Sequence, residues 1–418
     1  MVVGPSVDRL HAPGRPAAPP ASGPADAPPA ASRVAASIGP PARPEHAVAL
    51  LARCADVVDL EALAPDDLAL WDSLTAGPTL LDSPYFTVAF ARLVHRHRRV
   101  VVARLVAEGR TVGLVPFHRR GHHGEPLGSV LSDFHGVVAP AHVAFDAHDV
   151  LRVARIRSLR FGHLVPHPSL APYVDAVHGS PYVDLRDGFD AFVRERERSG
   201  AEMLGKLARL ERRAARATGG VRVVHGVRDR EVLRTCLRWK AAQAEADGYR
   251  HAFGQDWVAA VLADLICTDE PPLAGLLSAL WLGDELAAVH LGMRSATTFH
   301  YWLPAYDRAH ARWSPGSLLL VHLLREAADR GLAVFDLGRG DNAYKRRLTA
   351  RSRTVWEGRV ERSVLSPEVH RAGRTTALAL RRAVRDSPAG PAAHAALRSA
   401  RAVRTQVLAR TTAARNGR

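Results

Sequence analysis

The stretch FHYWLPAYDRAHARWSPGSLLLVHLLREAADRGLAVFDLGRGDNAYKRRL, Phe299 to Leu348, decides the fold. It reads as strand, loop, helix, strand, turn. Ser314 suits the N-cap of the helix, and Pro315 suits the first helical position, where a missing N–H costs nothing. Gly316 leaves the backbone unobstructed, and Ser317 adds an N–H and a hydroxyl. Leu318, Leu319, Val321, His322, Leu323 and Leu324 follow, so the helix is apolar over most of its girth and expected to be buried. Free N–H groups and the helix dipole together make such an N-terminus suited to an anion.

The run Ala333 to Leu337 reads as a short strand that ends in an ionisable cluster: Asp336, Arg339, Asp341, Tyr344, Lys345. Open α/β sheets bind ligands outside the carboxyl ends of their strands. Gly338-x-Gly340-x-x-Ala343 fits a variant of the dinucleotide fingerprint. The next strand-like run, Thr354 to Glu361, begins too soon for the crossover helix that fingerprint requires, which argues against a nicotinamide or flavin site.

The pattern YWLPAYD…SPGSLLL…FDLGRGDNAYKRRL resembles the CelD/BcsL family, acetyltransferases named for cellulose biosynthesis, within the GNAT superfamily of acyl-CoA N-acyltransferases. Upstream, Ser83-Pro84-Tyr85-Phe86, Val112 to Phe117, and Leu131-Ser132-Asp133-Phe134-His135-Gly136 extend the resemblance, as do Leu237-Arg238-Trp239-Lys240 and Gln243. It covers roughly residues 48 to 362. It implies an α/β protein of two tandem GNAT-like halves, with mixed, largely antiparallel sheets flanked by helices. It also implies transfer of an acyl group, acetyl first among candidates, from acetyl-CoA or another acyl-CoA to an amine or hydroxyl of a small molecule or saccharide precursor. The phosphates would lie on the N–H groups of Gly316 and Ser317, beside Ser314, Pro315, Arg339 and Lys345. Asp336 or Asp341 would take the acceptor's proton. Tyr344 would protonate the departing thiolate, since a phenol near pKa 10 is reasonably matched to an alkyl thiolate. Asp133, His135, Lys240, His290 and Tyr301 are the candidate substrate contacts. Two alternatives stay open: a FemABX-type transferase with an aminoacyl-tRNA donor, and a non-catalytic scaffold of a polysaccharide locus.

Hydrophobic residues make up 47% of the 418, ample for a core, and no run approaches the 18 or so apolar residues of a membrane span. Prolines interrupt any apolar segment near the start, which argues against a signal peptide. Three cysteines, widely spaced, build no disulfide framework or metal knuckle, and reduced thiols in the cytoplasm are expected, with Cys236 and Cys267 on apolar helix faces. The formal charge of +15 belongs mostly to the end of the chain: residues 371–418 hold 11 Arg and one acid, Asp386, leaving 15 − 10 = +5 for the rest. Such a tail allows weak electrostatic contact with an anionic membrane surface, but it carries no aromatic interleaving or reader motif for nucleic acid.

Four segments follow: 1–45, disordered, with 11 of the 28 prolines; 46–190, a first GNAT-like half; 191–365, a second, acyl-CoA-binding half; and 366–418, a weakly ordered tail. Two hairpins anchor the halves, one turning at Glu108-Gly109-Arg110 and one at Gly283-Asp284. In the second half, 200–217 reads as a basic amphipathic helix, 221–224 as a strand, and Asp229–Ala246 as a helix capped by Asp229. Lys240 borders that helix's apolar stripe, where its stem either snorkels to solvent or reaches a ligand. There is no nucleophile elbow, no phosphate loop and no His-Glu-x-x-His. His122-His123 and His95-x-His97 lack ligand partners in register, so no metal is expected. His290 and His300 fall on adjacent strands, in a core or cleft-lining role.

Overall fold

The computed structural model describes residues 49–77, 80–246, 255–270, 272–340 and 342–362. The N-terminal segment, the Arg-rich tail and Asp341 lie outside the described residues.

The first half runs β1 (Leu50–Asp59), α1 (Pro65–Thr75), α2 (Val88–His95), β2 (Val101–Ala107), β3 (Arg110–Arg120), β4 (His123–Pro126), β5 (Val143–Phe145), α3 (Ala147–Val153), β6 (Ser158–Leu164) and β7 (Val174–Asp184). Two linking helices follow, α4 (Gly188–Arg198) and α5 (Met203–Thr218). The second half runs β8 (Val221–His225), α6 (Arg230–Ala246), α7 (Asp256–Leu265), the short β9 (Asp269–Glu270), β10 (Leu273–Leu282), β11 (Glu285–Arg294), β12 (Thr298–Tyr306), α8 (Pro315–Asp329), β13 (Val334–Asp336), α9 (Ala343–Leu348) and β14 (Ser352–Glu361). Apart from β5, β9 and α9, the halves follow one element order: β1 with β8, α1 with α6, α2 with α7, the β2–β3 hairpin with β10–β11, β4 with β12, α3 with α8, β6 with β13, and β7 with β14. The hairpins turn at Gly109 and Gly283, both at positive φ.

All strands join one sheet in the order β5-β1-β2-β3-β4-β6-β14-β7-β13-β12-β11-β10-β8, with β9 beside β10. Pairing is antiparallel except at β1–β5, β4–β6 and β12–β13. At the centre the halves exchange their last strands. β6 pairs with β14, β13 pairs with β7, and β7 and β14 pair with each other. Arg353 on β14 reaches the buried Asp82 at 3.0 Å, and the Asp82 carbonyl accepts from Ser295 Oγ at 2.6 Å.

Periodicity accounts for the layers. Leu318, Leu319, Leu323 and Leu324 of α8 are buried against β10–β12, with α4 and α5 behind. Each such leucine contributes roughly 1.5–3 kcal/mol by leaving water. On the opposite face Leu233 and Cys236 of α6 pack with Val258, Val261 and Leu262 of α7. Asp229 Oδ1 accepts from Glu231 N–H at 2.7 Å, the start expected for α6. Cys267 departs from expectation: it lies just past α7 and is exposed, because α7 ends at Leu265. Residues 343–348 form a helix rather than a turn, since Ala-Tyr-Lys-Arg-Arg-Leu is a run of tolerable-to-good helix formers. Its six residues are far short of a dinucleotide-fold crossover. Among the described residues no helix is long and apolar enough to cross a membrane.

Candidate active site

The site begins where two parallel strands part. β12 pairs with β13 over three residues only, Thr298↔Val334, Phe299↔Phe335 and His300↔Asp336. β12 then continues to Tyr306 while β13 ends at Asp336. Opposite the parting, the β11–β12 register slips between Leu291 and Met293, so Tyr301 and Trp302 face the single residue Gly292. A bulge of this kind bends a strand and re-aims its side chains. Gly292 is required there: a Cβ would stand 2.6 Å from Phe299 and 2.7 Å from His290.

The gap opens as a cleft of about 280 Å³. Ser314, Pro315, Gly316 and Ser317 line one wall, Tyr301 and Tyr344 another, and Lys240 and Gln243 of α6 reach it from the far face. The helix start differs in detail from the sequence expectation. Ser314 holds the N-cap position in the left-handed region (φ 48°, ψ 48°), and its side chain makes no capping hydrogen bond. Such a conformation is uncommon for a side chain-bearing residue. The Ser314 carbonyl accepts from Ser317 N–H at 2.9 Å and Leu318 N–H at 3.1 Å. Of the two expected anion donors, Gly316 N–H is therefore the one without a backbone acceptor among the described residues. Lys240 Nζ donates to Gln243 Oε1 at 3.4 Å. Burial pushes the Tyr344 phenol up to about 12, away from the value near 10 that matches a thiolate.

Behind the apex of the gap lies a buried polar cluster. Asp336 Oδ1 accepts from Gly338 N–H at 2.7 Å and Ser180 Oγ at 3.3 Å and faces His300 Nδ1 at 3.6 Å. Burial raises its carboxyl above the usual range, although His300, the Gly338 N–H and Arg353 oppose this. His300 Nε2 lies 3.1 Å from Asp133 Oδ2. Burial alone would raise the Asp133 carboxyl too, but the His300 hydrogen bond, with His163 and Lys345 nearby, holds it low. Lys345 is buried and donates to the carbonyls of Gly338 at 2.9 Å and Arg339 at 3.1 Å. Its ammonium is held down by burial, against the pull of Asp133 and Asp336.

The sequence candidates thus separate. Ser314, Pro315, Gly316, Ser317, Lys240, Tyr301 and Tyr344 share the cleft. Asp133, Asp336 and Lys345 share the cluster. His290 supports the cleft from below: it stacks on Tyr301 at 4.3 Å and accepts from Trp302 N–H at 3.1 Å. Burial presses it well below the usual imidazole range. His135 and Arg339 turn to the first half. His135 Nε2 accepts from Gly162 N–H at 3.1 Å, and burial lowers its imidazole to about 3. Arg339 donates to Gly162 O at 2.7 Å and Glu357 at 2.7 Å, and contacts His178 Nε2 at 2.8 Å.

In the first half the matching gap is filled. β4 and β6 pair over two residues, and the segment after β4 then enters: His135 bridges to Leu164 and Val138 to Leu114. α3, the counterpart of α8, has only seven residues and carries Asp146 at its cap and Asp149 in its first turn, charges that repel phosphate. The filling segment delivers Asp133 to the second half.

Residues 203–346 match a family model described as an acetyltransferase (GNAT) domain. That stretch spans the cleft, from α5 to Tyr344. It supports an acetyltransferase-type enzyme at the level of the superfamily. No curated protein matches the chain. Among solved structures, the chain is similar to the C-terminal domain of a putative lysylphosphatidylglycerol synthetase from Agrobacterium fabrum, at 13% identity and TM-score 0.42, over 76% of this chain and 96% of that one. It is also similar to FemX, at 11% identity and TM-score 0.43, over 71% and 95%. A tandem GNAT protein from the clavulanic acid biosynthesis pathway matches at 11% and 0.41, over 74% and 99%. At these scores the likenesses decide nothing about activity. The fold is α/β, two halves of GNAT-like order sharing a mixed, largely antiparallel sheet. Among the described residues no group of three or more His, Cys, Asp or Glu is arranged to hold a metal ion.

Proposed function

We propose that the chain transfers an acyl group from an acyl-CoA, acetyl-CoA first among candidates, to an amine or hydroxyl acceptor. The observation that carries this reading is the parting of β12 from β13 with a helix start set against it, inside the stretch that matches a GNAT domain. The phosphates of the donor would lie at Gly316, with Lys240 adding positive charge. The acceptor would attack the thioester carbonyl directly, and Tyr344 would serve the departing sulfur. The resemblance to the CelD/BcsL family supports a sugar-derived acceptor.

Gly316→Glu tests the donor site. A Cβ at Gly316 meets Tyr306 at 3.4 Å, an ordinary contact, so the variant has room to fold. Glu is also a better helix former than Gly and suits a helix N-terminus. A carboxylate placed near phosphates costs about 1–4 kcal/mol between water-like and surface-like screening, hence roughly fivefold or more in affinity. Calorimetry with acetyl-CoA on the folded variant reads this directly. Undiminished affinity would remove the helix start from the donor site.

A further inference from the structure

His300 bridges carboxylates contributed by the two halves. Nε2 lies 3.1 Å from Asp133, and Nδ1 faces Asp336 at 3.6 Å. The imidazole is fully buried, Asp336 is 1% exposed, and the Asp133 side chain is 32% exposed. The line of three groups therefore runs from solvent inward. Tyr85 and Phe134 stand edge-on to the His300 ring, with centroids at 4.9 and 5.9 Å, and fix its plane. Asp336 Oδ2 is buried without a hydrogen-bond partner among the described residues. Burying ionisable groups costs free energy that packing alone does not return. His300 and Asp336 are also the last pair in register before the gap opens.

We propose that His300 is a positioning residue that holds Asp133 as the proton acceptor for an amine substrate at the apex of the gap. The proposal rests on the acyl-transfer reading of the cleft. In the step, the amine nitrogen attacks the thioester carbonyl carbon and forms the C–N bond. The C–S bond breaks and its electron pair leaves on sulfur. The nitrogen's proton passes to the Asp133 carboxylate, and the sulfur takes its own from Tyr344. Asp133 then returns its proton to solvent, to which it is open, and the Tyr344 phenolate takes one back from solvent. A carboxylate at Asp133 can only accept, so its hydrogen bond with Nε2 places the imidazole proton there, while Nδ1 faces Asp336 at 3.6 Å. An amine fits this acceptor better than an alcohol. The amine becomes acidic as it attacks, so a weak base suffices, and an ammonium is attracted to a partly exposed carboxylate beforehand.

Several other charged or titratable groups face Asp133. His135 lies on its own segment, His163 on β6, Lys345 on α9 and Asp336 on β13, with the Tyr85 phenol beside it. The test must therefore separate His300 from this background. Asp133→Asn, His300→Gln and His300→Leu are compared with the parent for acetyl-CoA affinity by calorimetry. Thiol release from acetyl-CoA is followed with glucosamine and with water alone, across pH. Asp133→Asn is expected to lower kcat about 10²- to 10⁴-fold, the range of a general base, with donor affinity unchanged. His300→Leu removes the donor that holds Asp133 low, so the acid limb of its pH profile moves to higher pH. His300→Gln keeps an N–H donor and loses less. If His300→Leu does not fold, the other two variants decide. Parent-like turnover in Asp133→Asn, with acetyl-CoA bound, overturns the proposal. So does an unmoved acid limb in the His300 variants. Failure of the parent to bind acetyl-CoA sinks the donor reading first, and this step with it.

Discussion

Tyr344→Phe removes a proton and keeps a ring. Tyr344 lines the cleft and packs against the cluster that holds α8, so the phenylalanine ring retains the packing. The size of the expected effect follows from its environment. A phenol raised to about 12 is protonated at every working pH and so is always available as a donor. It is also a weaker acid than the sulfur it serves: a thiol of ordinary pKa near 8.5 lies about 3.5 units below it, roughly 5 kcal/mol uphill for complete transfer. Tyr344 can then stabilise the developing thiolate by a hydrogen bond, or pass its proton only as the C–S bond breaks. The expected loss in kcat is at the lower end for a general acid, about 10²-fold. Acetyl-CoA affinity and thermal midpoint should hold. The assay is thiol release from acetyl-CoA with a panel of amino sugars. Parent-like turnover would show that water protonates the sulfur and that Tyr344 only packs.

Gly338 adopts φ +72°, and a Cβ there would stand 3.2 Å from Asp133 Oδ2. Gly338→Ala should therefore cost about 1–2 kcal/mol from the left-handed backbone alone; an unchanged melting temperature would contradict the geometry. Asp336→Asn keeps an oxygen for the Gly338 N–H and removes a carboxylate that burial disfavours. Because the folded carboxyl sits above its unfolded value, the folded state binds more protons between those two values, and the parent loses stability as pH rises through that window. The variant should escape this loss, so denaturant unfolding should show its advantage growing from acid to neutral pH; a gap that narrows instead would mean the carboxylate is stabilised where it lies.

The hairpin of each half and the strand–helix–strand order of the second were legible because hairpin turns and apolar alternation are local. Gly109, Gly283 and the SPGS corner mark boundaries within a few residues of where they fall. The cleft group was legible for the same reason: residues 301, 314–317 and 344 belong to one strand–helix–strand unit. What the sequence hid is long-range. Asp133 meets His300 across 167 residues, and no local pattern announces the pair. Arg339 looked like a phosphate ligand beside Lys345, yet its guanidinium finds Glu357 on a strand that the chain only later folds back against it. The left-handed Ser314 was invisible because serine at an N-cap normally signals an extended backbone.

The exchanged last strands impose an order in time. β6 stays without its β14 neighbour until the chain has been made through Glu361, almost two hundred residues after Leu164. At about 5–20 residues per second this is a wait of roughly 10–40 s, during which the first half presents an open sheet edge. Neither half can be cut out whole: removing residues 352–361 takes away the neighbour that β6 and β7 share, although both belong to the other half.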